Sequence, residues 1–296
     1  MPRFLCEPLK VDALEIAIAD LPASVAGTTL VQLSDLHYDG RCLDDSLLDE
    51  AISACNATEP DLVVLTGDYV TTDPDPIHFL ARHLQNLQTR WGTYAILGNH
   101  DIYYPHSRSE ITDAFTNVGI RVLWNQVAYP LGEDLALVGL ADFWSGEFKP
   151  NPVFERIPET TPRVVLSHNP DTAAILKKWR VDLQLSGHTH GGQVVLPKIG
   201  PLFAWLNPLR EITPKALRSW IPGISECHKV VDRWEWSEGL HRVGQNWLYV
   251  NRGLGSYRPG RFRCPPEVTV ITLVPQGAAV SPTVPVYRET PEATAT

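Results

Sequence analysis

Short runs of apolar residues, each followed by a cluster of small and polar residues, recur through the first two thirds of the chain. The clearest runs lie in TTLVQLSDLH, DLVVLTGDYV, WGTYAILGNHD, LALVGLADFW, RVVLSHNPD and VDLQLSGHTH. They are too short for helices and too continuous for half-exposed hairpins, so we interpret them as buried strands. Helical patterns lie between several of them, for example from Leu43 and from Ser107. This alternation predicts a layered α/β fold.

Polar side chains follow the predicted strands at their carboxyl ends, the edge of an α/β sheet where ligand-binding loops gather. Any one such residue would more often be a turn former than a ligand. Taken together they indicate a single bound ligand that these side chains share, because five of the ten histidines fall in these short motifs. The side chains expected at this rim are Asp35, His37, Asp68, Asn99, His100, Asp142, His168, His188 and His190.

The donor types in this set predict a metal site. Aspartate, asparagine and neutral histidine all bind divalent ions such as Mn, Fe, Zn or Ni, and the sequence does not choose among these metals. The donors outnumber the ligands of one tetrahedral ion and suit two ions that share a bridging carboxylate, about 3.5–4 Å apart. Cysteine is absent from the set, which argues against a structural zinc site.

Composition narrows the function classes. The chain has 296 residues and a formal charge of -9, so bulk attraction to nucleic acid is not expected. Five cysteines without a CxxC pair indicate a reducing compartment. The first residues lack the apolar core of a signal peptide, and no run approaches the roughly 18 apolar residues of a spanning helix. We expect a cytoplasmic protein, with the inner face of the membrane as an alternative, and infer no protein partner.

We expect a single domain over residues 1–275, an apolar, proline-rich insertion at 196–226 and a flexible tail at 276–296. The insertion has two interpretations, a lid packed on the core or a surface that contacts the membrane peripherally. Pro208 and Pro214 are expected to split it into short pieces. Its apolar residues at helical spacing are Leu202, Trp205, Leu206, Leu209, Ile212, Leu217, Trp220 and Ile221, and Arg210, Lys215 and Arg218 lie among them.

Five of the short motifs, SDLH, GDYV, GNHD, SHNPD and GHTH, resemble the ordered motif set of the calcineurin-like metallophosphoesterases. The resemblance covers about residues 28–194. It implies an α/β/β/α sandwich of two mixed sheets and a hydrolase acting on phosphoester or diphosphate bonds. The later stretch NRGLGSYRPGRFRCPPEVTVITL is similar to the closing segment of a bacterial branch of membrane-associated phosphodiesterases.

The resemblance also implies a role for each motif residue. Asp68 would bridge the two ions, His100 would stabilise or protonate the departing oxygen, and Asp101 would orient His100. A hydroxide shared by the ions would attack phosphorus in line. The implied ligands are Asp35, His37, Asp68 and His190 for one ion and Asp68, Asn99, His168 and His188 for the other.

The resemblance says less about the substrate. GDYVTTD departs from the GDYVDRG of the serine/threonine protein phosphatases, and GNHD ends in Asp where they carry Glu, so a protein phosphatase is not expected. The branch includes enzymes that hydrolyse the pyrophosphate of UDP-2,3-diacylglucosamine in lipid A biosynthesis. Because the apolar insertion fits acyl chains, we predict a lipid-linked phosphoester or pyrophosphate. Candidates for substrate contact are Asn125, Asp142, Arg258, Arg261 and Arg263.

Two other functions stay open at this stage. One is a general phosphodiesterase or a nuclease acting on a soluble substrate, although the acidic balance and the lack of a basic stripe disfavour a nuclease. The other is a catalytically degenerate scaffold that only binds metal. The intact His100 and Asp101 argue against a scaffold, because a binder needs no proton donor beside its ions.

Overall fold

The computed structural model of the protein describes residues 7–214, 230–277 and 286–288. The strands are β1 (Lys10–Ile18), β2 (Thr29–Leu33), β3 (Leu62–Leu65), β4 (Thr93–Ala95), β5 (Ile120–Val122), β6 (Gln126–Ala128), β7 (Ala136–Gly139), β8 (Arg163–Leu166), β9 (Leu183–Ser186), β10 (Val195–Leu196), β11 (Gly200–Pro201), β12 (Gly239–Val243), β13 (Asn246–Val250), β14 (Glu267–Pro275) and β15 (Val286–Arg288). The helices are α1 (Asp45–Asn56), α2 (Ile77–Leu84), α3 (Ser107–Asn117), α4 (Asn151–Phe154), α5 (Ala173–Leu176) and α6 (Leu202–Ile212).

Most of these strands form two mixed sheets. Within the described residues, the first sheet has the order β1-β14-β2-β3-β4-β5 and the second has the order β15-β12-β13-β9-β8-β7-β6. Strands β2 to β5 run parallel, as do β7, β8 and β9, whereas β14 pairs antiparallel with β2 and β6 antiparallel with β7. The parallel runs are the apolar runs of the sequence, so their carboxyl ends meet at a common edge.

The side chains of β3 show how the layers form. All four residues of this LVVL strand are buried. Leu62 and Val64 pack in the core between the two sheets, while Val63 and Leu65 pack in an outer core with residues of α1, α2 and α3. On the far side, residues of β7 and β8 pack against α4 and α5. The predicted α/β/β/α sandwich is confirmed, and burial on both faces explains why the runs are continuously apolar.

Strand β1 was not among the strands predicted from the sequence. Its sequence KVDALEIAI alternates between buried and exposed positions, which is the pattern of an edge strand with one solvated face. It pairs with β14 in parallel register from Lys10↔Glu267 to Ile18↔Pro275. The first and last strands of the expected 1–275 domain therefore lie side by side, although the domain limits themselves stay a prediction.

Two parts of the chain differ from expectation. Helix α6 runs from Leu202 to Ile212 without a break at Pro208, so the prediction that this proline splits the segment was wrong. The helix does end just before Pro214, and residues 215–229 lie outside the described residues. Within the expected tail, Val286–Arg288 forms β15 alongside β12. No described helix combines the length and apolar composition needed to cross a bilayer.

A buried ion network ties the two ends of the chain together. The guanidinium of Arg252, which follows β13, lies 2.6 Å from Asp12 on β1 and 3.1 Å from Glu267 on β14. The hydroxyl of Tyr249 donates to the same Glu267 at 2.5 Å. Buried carboxylates are tolerated only when they are paired in this way. The fold therefore depends on Arg252 as long as Asp12 and Glu267 are buried beside it.

We predict that Arg252→Leu lowers the free energy of unfolding by about 3–5 kcal/mol, because buried Glu267 loses its cation and Asp12 keeps only the half-exposed Lys10. Urea denaturation of the metal-free protein measures this change. Arg90→Leu is the matched control: Arg90 lies 3.8 Å from Asp61 with 71% of its side chain exposed, and such pairs contribute about 1 kcal/mol or less. Equal, small losses in both variants would contradict the role given to the network.

Candidate metal centre

The expected ligands come together at one edge of the sandwich, where the carboxyl ends of strands from both sheets face each other. The first sheet supplies residues that follow β2, β3 and β4, and the second sheet supplies residues that follow β8 and β9. The donor groups of seven of them form three overlapping clusters: one joins the partly buried His100 to His37 and Asp68, and the other two consist of six buried residues. These six are Asp35, His37, Asp68, His168, His188 and His190.

The backbone at this edge adopts an uncommon conformation. The left-handed region costs a residue with a side chain roughly 1–2 kcal/mol. Clusters of such residues occur where surrounding structure holds them for a functional purpose. Five expected ligands have positive φ, namely Asp35 (51°), His37 (43°), Asp68 (57°), His188 (72°) and His190 (52°).

Two glycines allow the ligand loops to approach each other. A Cβ on Gly98 would lie 2.2 Å from Oδ1 of Asp68, and a Cβ on Gly187 would lie 2.1 Å from Oδ2 of Asp35. Both distances are far below van der Waals contact. The glycines of GNHD and GHTH are therefore required by close packing around the carboxylates.

The first cluster consists of Asp35, His37 and His190. Nε2 of His37 lies 3.0 Å from Nε2 of His190, which lies 3.6 Å from Oδ1 of Asp35. The backbone N–H of His188 also donates to Oδ1 of Asp35 at 2.9 Å and so links the two sheets. These three donors converge on one position that could hold an ion.

The second cluster consists of Asp68, His168 and His188. Nε2 of His168 lies 3.1 Å from Oδ2 of Asp68 and 3.2 Å from Nδ1 of His188. Oδ2 of Asp68 is also 3.6 Å from Nε2 of His37, a member of the first cluster. Asp68 therefore lies within reach of both positions, as a bridging carboxylate must.

Asn99 gives an independent sign that a cation fits here. Its side-chain oxygen Oδ1 is buried and has no hydrogen-bond partner among the described residues. A buried polar oxygen without a partner is costly, and a metal ion beside it would satisfy it. Together with the nitrogen and carboxylate donors and the absence of thiolates, this fits divalent ions.

The outer ring nitrogens of three histidines are held by backbone carbonyls. Nδ1 of His168 lies 2.7 Å from the oxygen of Thr66, and Nε2 of His188 lies 2.6 Å from that of Val230. Nδ1 of His190 lies 3.2 Å from the oxygen of Gly255. Because each outer nitrogen donates its proton to a carbonyl, the inner nitrogen presents a lone pair to the cluster, as metal-ligating histidines do.

Burial sets the charge of these imidazoles. It lowers the pKa of His37 and of His188 to about 3, so both rings are neutral and ready to bind metal. Burial also disfavours the charged form of His168, but the adjacent Asp68 carboxylate outweighs it and raises the pKa of His168 to about 10. His168 therefore has to give up its Nε2 proton before that nitrogen can bind an ion.

His100 borders the clusters and is half exposed. Its Nδ1 donates to the backbone oxygen of Thr71 at 2.5 Å, and its ring stands edge-on to that of His37 with 4.8 Å between centroids. Its backbone N–H donates to Oδ1 of Asp68 at 2.9 Å. The ring is therefore fixed with Nε2 free to meet a bound molecule.

The structure shows Asp101 bonded to backbone N–H groups rather than to His100, so the orienting role that the resemblance implies has no direct contact behind it. Its buried carboxylate is occupied by backbone N–H groups of the loop that carries Asp68, so the Thr71 carbonyl takes the orienting role. The donors to Asp101 are the backbone nitrogens of Asp68 (2.8 Å), Tyr69 (2.8 Å), Val70 (3.3 Å) and Gly98 (2.9 Å). Asp101 thus supports the ligand loop rather than the proton donor.

A sequence profile described as calcineurin-like phosphoesterase matches residues 28–192, the range that holds all of these ligand motifs. The chain belongs to the calcineurin-like phosphoesterase family. Members of this family use divalent metals, and the protein is a hydrolase of phosphoester bonds.

Three relatives extend the similarity over nearly the whole chain. A phosphodiesterase of Escherichia coli, YaeI, is 34% identical over 91% of this chain and 90% of its own. The UDP-2,3-diacylglucosamine pyrophosphatase LpxG of Chlamydia muridarum is 28% identical over 89% of this chain and 88% of its own. An uncharacterized metallophosphoesterase of Bacillus subtilis, YkuE, is 32% identical over 92% of this chain and 88% of its own.

Two of the predicted substrate residues have structural partners instead. Arg261 is 2% exposed, and its guanidinium donates to backbone oxygens of Arg252, Gly253 and Gly255, so it is not available to a phosphate. The amide of Asn125 donates to the backbone oxygen of residue 147 and accepts from the backbone nitrogen of residue 141. Both side chains hold loops of this phosphoesterase in place.

The remaining substrate candidates stay predictions. Asp142 is buried after β7; its Oδ1 accepts from the backbone N–H of Trp144 at 2.9 Å, and its Oδ2 has no partner among the described residues. Trp144 itself is partly exposed and stands edge-on to His188. Arg258 and Arg263 are exposed on the loop that follows β13.

Sequence reasoning missed Tyr257, whose hydroxyl lies 2.9 Å from Nδ1 of His37. Its signal was present, since an aromatic hydroxyl sits between Gly255 and Pro259 in a loop that we had singled out for its arginines. The sequence could not indicate that the carbonyls of Thr71 and Val230 accept hydrogen bonds from histidines. Every residue has a carbonyl, and only the folded backbone determines its direction.

We predict that Asp68→Ala releases both ions, because the carboxylate lies within reach of both clusters. Metal content after gel filtration, measured by plasma mass spectrometry, tests this. Asp73→Ala, at an exposed acid outside the clusters, is the control and should keep full metal content. Retention of two ions by the Asp68 variant would refute the bridging position.

Proposed function

We propose that this phosphoesterase hydrolyses a phosphodiester or pyrophosphate bond of a lipid-linked substrate, with two divalent ions bound at the candidate metal centre. The observation that carries the substrate class is the apolar helix α6, which begins directly beside that centre. A Cβ on Gly192, two positions after His190, would lie 2.5 Å from Cβ of Pro201, the residue that precedes α6. The helix is thus joined to the ligand loop by both sequence and packing.

The two ions would be held by the two clusters. When bound, divalent ions neutralise phosphate oxygens and supply hydroxide near neutral pH. Mn, Fe, Zn and Ni all suit these donors, and we propose Mn for the first assays. The proposed ligands are Asp35, His37, Asp68 and His190 on one side and Asp68, Asn99, His168 and His188 on the other.

His100 would act on the leaving group. Since its Nδ1 proton is committed to the Thr71 carbonyl, protonated His100 carries its second proton on Nε2. Hydroxide forms the new bond to phosphorus, the bond to the leaving oxygen breaks, and that oxygen takes the proton from Nε2. Solvent then returns a proton to the ring. Asp101 contributes by fixing the loop that carries Asp68.

The exposed face of the insertion supports an acyl-bearing substrate. Ile199, Leu202, Trp205 and Ile212 expose 49%, 39%, 59% and 79% of their surface, a concentration that is unusual on soluble proteins. The indole nitrogen of Trp205 donates to the backbone oxygen of Ile199 at 2.8 Å, which holds its ring on this face. Acyl chains bound here would leave their phosphate near the metal ligands.

The chain that follows the insertion also meets the centre. The Val230 carbonyl accepts from His188, and the Asp171 carboxylate accepts from the backbone nitrogens of Asp232 and Arg233. Both ends of the segment are therefore joined to loops that carry ligands. Of the expected 196–226 insertion, residues 215–226 lie outside the described residues.

The named relatives support two substrate types. LpxG of Chlamydia muridarum is a UDP-2,3-diacylglucosamine pyrophosphatase, which makes that lipid nucleotide our first candidate and lipid A biosynthesis the setting. YaeI of Escherichia coli is a phosphodiesterase, which keeps a soluble diester as the second candidate. With Lys198 and Arg210 beside the apolar face, we also propose peripheral contact with the membrane surface.

The deciding assay compares hydrolysis of UDP-2,3-diacylglucosamine and bis(p-nitrophenyl) phosphate, with and without Mn. Metal-dependent turnover that is much faster on the lipid nucleotide supports the proposal. Turnover of the aryl diester alone would support the proposed reaction type and reject the lipid nucleotide as substrate. Turnover of neither substrate, with metal bound, would favour a scaffold.

We predict that His100→Ala keeps its metal and loses about 10²- to 10⁴-fold in kcat on either substrate, the usual contribution of a general acid. His106→Ala changes an exposed histidine of the same region and should leave kcat unaltered. Equal kcat in the His100 variant and the wild type would remove His100 from catalysis.

We predict that Ile212→Glu lowers kcat/KM for the lipid nucleotide by about tenfold or more while leaving the aryl diester unchanged, because a charge on the apolar face disfavours acyl chains. Phe79→Glu is the control: this residue is also exposed, at 58%, but lies on α2. If both variants lose lipid activity to the same extent, α6 has no special part in substrate choice.

A further inference from the structure

Tyr257 lies over the open side of the candidate metal centre. Its ring centroid is 4.9 Å from that of His37, 5.3 Å from that of His190 and 6.4 Å from that of His100. The six clustered residues are buried, whereas His100 and Tyr257 are each partly exposed. A bound molecule can therefore reach the clusters beside these two residues.

The proton on His37 determines what the tyrosine hydroxyl can do. Nε2 of His37 faces the cluster, 3.0 Å from Nε2 of His190, so a ligating ring carries its proton on Nδ1. The oxygen of Tyr257 lies 2.9 Å from Nδ1 and 3.5 Å from Nε2 of His37, which places it well off the line of the Nδ1–H bond. The phenol O–H therefore needs an acceptor of its own.

Within the described residues, the Tyr257 O–H has no acceptor other than the nitrogens of His37. With His37 in the ligating tautomer, neither nitrogen accepts: Nδ1 carries the proton and the lone pair of Nε2 faces the ion. A tyrosine hydroxyl is both a hydrogen-bond donor and an acceptor, so its proton can be given to a bound molecule. A hydrogen-bond donor thus remains available at the entrance.

The loop around Tyr257 is rigidly held. The backbone N–H of Tyr257 donates to the side-chain oxygen of Gln193 at 2.7 Å, and the Gly255 oxygen accepts from Arg261 at 2.6 Å. The same Gly255 oxygen accepts from Nδ1 of His190. Because the loop shares these contacts with the ligand loop, the hydroxyl keeps a fixed position relative to the ligands.

We propose that the Tyr257 hydroxyl donates a hydrogen bond to a non-bridging oxygen of the phosphoryl group that is cleaved. This proposal rests on the proposed function, since a phosphoryl group has to enter the centre. The ligand chemistry is a phosphate oxygen, whichever alcohol or second phosphate completes the substrate. Tyr257 then acts from the face opposite the buried ligands.

The test uses the full chain loaded with saturating Mn and inorganic phosphate as the probe, with binding measured by calorimetry. Tyr257→Phe removes the hydroxyl and keeps the ring. We expect its phosphate affinity to fall by about tenfold to a hundredfold, the range for one hydrogen bond to a charged group. Metal content and melting temperature should match the wild type at saturating Mn. Tyr103→Phe, at an exposed tyrosine, is the control and should bind phosphate normally.

The outcomes separate this inference from the proposed function. Equal phosphate affinity in Tyr257→Phe and the wild type overturns the inference, even if both proteins hydrolyse the test substrates. A Tyr257-dependent affinity upholds it, even if neither test substrate is cleaved and the proposed substrate is rejected. Absence of phosphate binding to the Mn-loaded wild type overturns both.

Discussion

The buried carboxylate of Asp68 is the interaction on which the rest of the site depends. Its Oδ2 lies 3.1 Å from His168 and 3.6 Å from His37, ligands that come from different sheets. Burial alone would raise its pKa, but the surrounding histidines hold the pKa of this carboxyl well below its usual range. The site therefore keeps a negative charge at the point where the sheets meet. Such a charge is stable in the interior only beside positive partners, and bound divalent ions would serve as such partners.

Much of the surrounding structure serves to keep that charge and its neighbours in place. Five expected ligand residues adopt left-handed backbone conformations at roughly 1–2 kcal/mol each, so this edge of the sandwich stores strain. Asp101 offsets part of this strain by accepting four backbone N–H groups around Asp68. Arg261 does the same for the loop that carries Tyr257, and Arg252 fixes the strands beneath it. Preorganisation of this kind lets the ligands meet ions without large rearrangement.

The layered fold and the rim of ligands could be predicted because their signals are local. A strand such as LVVL is apolar at every position when both faces are buried, and a motif such as GHTH places its histidines beside the strand end. The roles of Asp101 and Arg261 could not be predicted, because their partners are backbone groups whose directions depend on the folded loops. The role of Tyr257 could not be predicted either, because it depends on the contact that the folded loops create between its hydroxyl and the ring of His37. Pro208 misled because a proline signals a break, yet α6 continues through it.

The metal ligands alone do not distinguish one phosphoester from another, so we propose that the insertion sets the substrate preference. Its apolar face is exposed and the chain at both of its ends is joined to loops that carry expected ligands, so any preference it confers depends on ions being held in one place. The most direct test of the account is electron paramagnetic resonance of the protein titrated with Mn. The account predicts the signal of an exchange-coupled Mn pair, reached at two ions per chain through a shared bridge at Asp68. Saturation at one ion per chain, or two magnetically independent ions, would contradict it.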